Sequence, residues 1–150
     1  MRLQYLLHAL LGLVNAGAGN VHRFVGACAP LVRDVVIAGI NRDELSALVV
    51  LDLDGCRVIN PDLPPGDLAA AAHDPVVREA FRERLASFMA GATGSSTRIA
   101  KAVLLDTPLS IDKGEVTDKG SINQRAVLEH RAALIDDIYA GAAQAGVISV

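Results

Sequence analysis

Two apolar, β-branched runs, Val35 to Ala38 and Leu45 to Leu51, flank the turn-forming stretch Gly39-Ile40-Asn41-Arg42-Asp43, and this pattern predicts a β-hairpin. "INPDLPPGD" (Ile59 to Asp67) then gathers three prolines with glycine and aspartate, the mark of a surface loop. At Asp74-Pro75 the period changes. Aspartate suits an N-cap and proline the first helical position, where its missing N–H costs nothing. The helix runs to Gly91, with Val77, Phe81, Leu85 and Phe88 on one face and Arg78, Glu79, Arg82 and Glu83 off it, as an amphipathic helix requires. "GATGSSTR" (Gly91 to Arg98) reads as a turn and "RIAKAVLLD" (Arg98 to Asp106) as a third strand. A last helix is predicted after a loop, opened by a Ser121/Gln124 capping box. Its stripe comprises Ile122, Val127, Leu128, Leu134, Ile135 and Ile138, and Gly141 ends it.

The predicted order is helix, hairpin, helix, strand, loop, helix, an α+β domain with a short three-stranded sheet packed by helices. At 150 residues the chain is one domain with a real core. Half of it is apolar but only 3% is aromatic and none is Trp, so that core is built from Ala, Val, Leu and Ile. The leading helix is expected within "MRLQYLLHALLGLVNAGA". This stretch imitates a signal peptide, with one Arg, an apolar run from Tyr5 to Val14 broken by His8, and small residues at Ala16-Gly17-Ala18. The run falls short of the ~20 residues that span a bilayer, and it reads as a packed helix or an artefactual start.

A net charge of −3 with mixed signs leaves no basic footprint for nucleic acid, and no membrane partner is expected. Cys28 and Cys56 have no second pair, and the four histidines share no ligand spacing with them, so no metal site is indicated. The thiols read as reduced and packed, which points to a cytoplasmic location.

The phosphate-loop, dinucleotide, nucleophile-elbow and zinc-protease motifs are all missing. "TGSS" (Thr93 to Ser96) reads as a plain turn, although its composition would also suit a phosphate cradle. "VVLDLDG" resembles the D-x-D motif of haloacid dehalogenase-like phosphatases, with Asp52 and Asp54 as nucleophile and acid/base around magnesium and Asp136-Asp137 as a late acidic pair. Cys56 stands where that family expects Thr or Val, and the competing reading is a strand ending in an Asp-Gly turn.

Asp-Lys-Gly occurs twice, at Asp112-Lys113-Gly114 and at Asp118-Lys119-Gly120. Lys119 is placed just before the last predicted helix, whose N-terminus favours anions. Lys113 lies between Asp112 and Glu115 and reads as a solvated charge. From its position alone, Lys119 reads first as a plain exposed lysine, with a catalytic lysine as the competing reading.

"APLVRDVVIAGINRDELSALV" together with "GSSTRIAKAVLLDTPLSIDKGEVTDKGSINQRAVLEHRAALIDDIY" closely resembles the C-terminal domain of feruloyl-CoA synthases, acid–thiol ligases of the AMP-forming adenylating superfamily. The likeness runs from about Val21 to Tyr139, and its most specific part is "GEVTDKGSINQRAVLEHRAAL". It implies the small lid domain of such a ligase, a large N-terminal domain as partner, ATP, CoA and magnesium as cofactors, and a hydroxycinnamic or other aryl acid as substrate. It implies one catalytic residue here, Lys119 within "TDKGSINQR", which neutralises charge where a carboxylate attacks the α-phosphate. Lys113 matches a looser position and takes no role.

The family's large domain, its phosphate loop, its aryl pocket and its hinge residue have no counterpart in these 150 residues. Residues 1–20 do not match the glycine-bearing segment expected before the domain, and either Gly17 or Gly19 would supply its glycine. The resulting organisation is an atypical leader over 1–20 and the adenylating-enzyme C-terminal domain over 21–150, a fragment that binds none of these cofactors alone. A docking face left bare would favour self-association. A freestanding, non-enzymatic α+β module is the alternative.

Overall fold

A computed structural model describes residues 18–39, 44–91, 99–141 and 146–150. Helix α1 (Ala18–Ala27) leads into strands β1 (Val32–Ala38) and β2 (Leu45–Leu51). Three helices follow, α2 (Leu53–Ile59), α3 (Leu68–His73) and α4 (Pro75–Ala90), then β3 (Ile99–Leu104), α5 (Gln124–His130), α6 (Ala132–Ala140) and β4 (Ile148–Ser149). The sheet order is β1-β2-β3-β4. β1 runs antiparallel to β2, β2 parallel to β3, and β3 antiparallel to β4. A parallel pair cannot be joined by a tight turn, and α2 to α4 form the crossover.

The sheet is covered on both faces, which explains why its strands read as continuous apolar runs rather than strict alternation. On one face Val35, Ile37, Ala47, Val49, Ala102 and Leu104 pack with Phe24 of α1 and Val77, Phe81, Leu85 and Met89 of α4. On the other, Val36, Leu48 and Val103 meet Val127 of α5 and Ile138 of α6. At about 25 cal/mol per Å² of apolar surface, each fully buried Leu, Val or Phe contributes about 1.5–3 kcal/mol. Aliphatic residues dominate both clusters, as the scarcity of aromatics requires.

The hairpin, the helix capped by Asp74, the third strand and the Gly141 stop all form. Asp74 accepts from Val77 N–H at 3.0 Å, and Gly141 closes α6 at φ 71. The structure corrects several details. Among the described residues the sheet has four strands, because Ile148 and Ser149 pair with Ala102 and Lys101. Asp52 does not end a strand in a turn: its carboxylate accepts from Gly55 N–H at 3.0 Å and caps α2. The proline-rich loop ends at Asp67 as expected, but a helix that the sequence pattern did not announce follows it: α3, which Asp67 caps by accepting from Ala70 N–H at 3.0 Å.

Ser121 and Gln124 make no capping box. Asn123 takes the cap by accepting from Ala126 N–H at 3.2 Å, and Ile122 instead pairs with Val116 in an isolated bridge. The last helix is broken at Arg131 into α5 and α6. Met89, not Phe88, completes the fully buried stripe of α4; Phe88 lies half-buried, edge-on to Phe24 with ring centroids 5.6 Å apart. The leading helix expected before residue 18, the hairpin turn at 40–43 and the Gly/Ser turn at 92–98 lie outside the described residues.

Candidate functional site around the Lys119 turn

Both Asp-Lys-Gly repeats are turns, and the glycine is the reason the tripeptide recurs. Gly114 has φ +71 and Gly120 φ +85, a left-handed conformation that costs glycine nothing and other residues much. The first turn is held by Gly114 N–H donating to Ile111 O at 2.9 Å and Lys113 N–H to Ser110 Oγ at 3.2 Å. The second is closed more tightly. Thr117 N–H donates to Ser121 O at 2.8 Å, Gly120 N–H to Thr117 O at 2.9 Å, and Ser121 N–H to Thr117 Oγ1 at 3.1 Å. Beneath it Val116 pairs with Ile122, and Asn123 N–H donates to Glu115 O at 2.9 Å.

Lys119 is therefore presented, exposed, at the tip of a small closed loop. It does not sit directly on a helix N-terminus, as its place in the sequence suggested. Gly120 to Asn123 intervene before α5, so the field of that short helix is not what this lysine answers to.

The base of the loop forms one wall of a cleft of about 580 Å³. Val116, Gly120 and Ile122 line one side, the C-terminal ends of β2 and the Leu105–Leu109 segment another, and the start of α2 a third. The cleft thus opens beyond the carboxyl ends of the two parallel strands, where open α/β sheets place their ligand crevices. Its lining is mainly apolar, with Arg33, Asp34, Asp52 and Asp54 as the charges. Asp34 accepts from Val35 N–H at 2.8 Å, and Asp52 is engaged as the α2 cap.

The loop is fastened from below by a pair the sequence did not announce. Glu115 is 2% exposed and its carboxylate accepts from Arg131 Nε at 2.8 Å and from Arg131 Nη2 at 3.2 Å. The same guanidinium donates to Thr107 Oγ1 at 2.7 Å and to Pro108 O at 3.0 Å. Glu115 Oε1 also accepts from Ser110 N–H at 3.0 Å. Burial pushes this carboxyl upward, but the Arg131 and Ser110 hydrogen bonds and the nearby charges of Arg131 and His130 outweigh it and hold it below its usual value. Charge-assisted, bidentate pairs are the strong members of their class.

The phosphatase constellation is not assembled. Asp52 and Asp54 sit at the start of a helix in a mixed sheet, and Asp136 and Asp137 lie within α6. Among the described residues no three His, Cys, Asp or Glu side chains come together to hold a metal ion. Cys28 and Cys56 are buried and unpaired, and burial pushes both thiols up to about 11. Among the described residues no helix is long and apolar enough to cross a membrane.

Residues 18–143 match the family model of the AMP-binding enzyme C-terminal domain. The fold is similar to that of the A-PCP didomain of carboxylic acid reductase from Segniliparus rugosus, determined in complex with AMP, with a TM-score of 0.50 and 19% identity. That likeness covers 83% of this chain and 16% of that one, so the chain spans a small part of the larger protein. At this identity it speaks for the fold alone. No curated protein matches the chain.

Proposed function

The chain belongs to the AMP-binding enzyme C-terminal domain family, and from that premise we propose that it is the lid domain of a feruloyl-CoA synthase-like acid–CoA ligase. The observation that carries the reading is the exposed Lys119 at the tip of a closed turn whose base walls the cleft. In the first half-reaction a carboxylate oxygen of the aryl acid attacks the α-phosphorus of ATP, forming an acyl-adenylate and releasing pyrophosphate. Lys119 places its ammonium where negative charge gathers on the phosphoryl oxygens, once the small domain has docked on a large one. In the second, the CoA thiol attacks the acyl carbonyl and AMP leaves.

ATP, CoA and the hydroxycinnamic acid are held by that large domain. In this reading magnesium is bound there too. Residues 21–150 are taken as the working unit and 1–20 as an atypical leader, while the family match itself covers 18–143 and so begins three residues inside that leader. A cytoplasmic location fits the two unpaired thiols. Val58, Val76 and Ile111 are exposed apolar side chains, consistent with surface meant to be covered by another body or another copy.

The test is complementation. The large adenylating domain of a hydroxycinnamate–CoA ligase, made without its own lid, is mixed with the 150-residue chain, ferulate, ATP, magnesium and CoA. A gain in pyrophosphate release and thioester that disappears with Lys119→Ala supports the reading. No gain over the large domain alone removes it, and leaves a non-enzymatic module.

A further inference from the structure

Glu115 and Arg131 are the only buried carboxylate and its guanidinium among the described residues, and all their bonds converge on one object. Arg131 stands at the break between α5 and α6 and reaches back to Thr107 and Pro108 at the start of the loop. Glu115 ties Ser110 in the middle of that loop, and its backbone carbonyl receives Asn123 N–H where the loop ends. Between Glu115 and Asn123 stand the Val116–Ile122 bridge and the Lys119 turn.

Arg131 joins α5 and α6, the helices that cover the smaller apolar cluster, and the large apolar cluster lies on the other face of the sheet. Burying a carboxylate costs free energy that an apolar pair would not. What the ionic pair adds is direction: a planar guanidinium fixes two carboxylate oxygens and two further acceptors in one geometry.

We propose that Glu115 and Arg131 are positioning residues, a clamp that sets the height and direction of the Lys119 turn against the cleft. Neither touches a substrate. The clamp acts through the backbone: Arg131 fixes Glu115, Glu115 fixes both strands of the bridge, and the bridge fixes the turn. The kinetic part of this inference rests on the lid-domain reading of Lys119, whereas the structural part does not.

The experiment has one arm for each part. Amide hydrogen exchange is measured on the full chain for wild type, Glu115→Gln and Arg131→Lys. The reporters are the Thr117, Gly120, Ser121 and Asn123 amides, compared with Val36, Leu48 and Val103 in the strands. The clamp predicts that the turn amides accelerate by about tenfold beyond any acceleration the strand amides share, the loss expected when a charge-assisted bond of a local unit is given up. Turn amides that keep pace with the strands, or do not change, overturn the clamp and leave a purely structural ion pair.

In the complementation assay both variants should lower the turnover of pyrophosphate release while leaving the KM for ATP unchanged, with Arg131→Lys retaining more activity than Arg131→Met. If Lys119→Ala is inert while the turn amides still accelerate, the lid-domain reading fails and the clamp stands as a loop-ordering device. If Lys119→Ala abolishes activity but the clamp variants keep full turnover, the clamp has no positioning role.

Discussion

Gly55 lies so close to the backbone of Pro30 that no side chain fits between them; a Cβ there would come within 2.6 Å of the Pro30 carbonyl carbon. Gly55 is in the first turn of α2, where alanine would ordinarily be favoured by about 1 kcal/mol. Here the close approach wins, because the obstacle is backbone and cannot rotate away. Gly55→Ala should therefore destabilise the domain by about 2–3 kcal/mol. Urea unfolding monitored by circular dichroism checks this, and a variant as stable as the wild type would show that α2 is not seated against Pro30.

The Glu115–Arg131 pair gives the domain an acid limit. Its folded carboxyl is held below the ordinary 4.5. The unfolded chain therefore binds the proton more readily, and the pair's contribution is fully present above about pH 4.5 and lost as pH falls through the lower folded value. Arg131→Met leaves the carboxylate buried without its partner and should cost about 3–5 kcal/mol near neutrality. The same variant should show a flatter pH dependence below pH 5. Melting temperatures from pH 3 to pH 7 read both effects.

The two thiols set a limit at the other end. Burial raises Cys28, with Arg84 opposing, and burial then Asp52 and Asp74 raise Cys56, each to about 11. The folded state keeps both protonated where the unfolded chain would ionise. Their stabilising share is present below the unfolded thiol value of about 8.5 and is lost as pH rises towards 11. Native protein should react with an aromatic disulfide at pH 8 at least about 100-fold more slowly than unfolded protein. Rapid reaction of either cysteine in the native state would contradict its burial.

Asp74 does two things at once. Besides capping α4, its two carboxylate oxygens accept from Asn60 Nδ2, each at 3.2 Å, tying the end of α2 to the start of α4. Asp74→Ala should lose about 1–2 kcal/mol, and Asp74→Ser, which keeps a cap but not the reach to Asn60, should fall between the two. Equal losses for both variants would mean that the cap contributes little and the Asn60 contact carries the effect, whereas an Asp74→Ser protein as stable as wild type would mean that the Asn60 contact contributes little.

Elements with strong local signals were legible in the sequence. Asp74-Pro75 announces a helix because cap and ring act within a few residues, and the hairpin follows from β-branched runs on either side of turn residues. Asp52-Leu53-Asp54-Gly55 was not legible as a helix, because Asp-Gly carries the same letters as a turn and only the close seat against Pro30 decides between them. The Ser121/Gln124 box failed for a related reason: Asn123 offers an equally good cap two residues later, and the Val116–Ile122 bridge draws Ser121 out of position. Glu115 and Arg131 left no local signal at all. They lie sixteen residues apart, and a buried charge pair of that kind is visible only once the loop between them is folded. The cleft belongs to the same class, since it exists only where β2, α2 and the Leu105–Ile122 segment meet.

The sharpest contrast lies between two lysines in the same tripeptide. Lys113 and Lys119 are both exposed, each precedes a left-handed glycine, and neither carries a side-chain bond the fold depends on. Local chemistry therefore predicts the same small effect on stability for both alanine variants, within about 0.5 kcal/mol of wild type. Only placement separates them: the Lys119 turn is bridged and forms a wall of the cleft, whereas the Lys113 turn is held only by Ser110 and Ile111 and stands outside it. In the complementation assay Lys119→Ala should lower adenylate formation by about 10²–10³-fold, the loss expected when one donor to a developing charge is removed. Lys113→Ala should leave it unchanged. Equal losses from both variants would point to general electrostatic attraction between the chain and the large domain; a loss confined to Lys113 would move the site to the first turn.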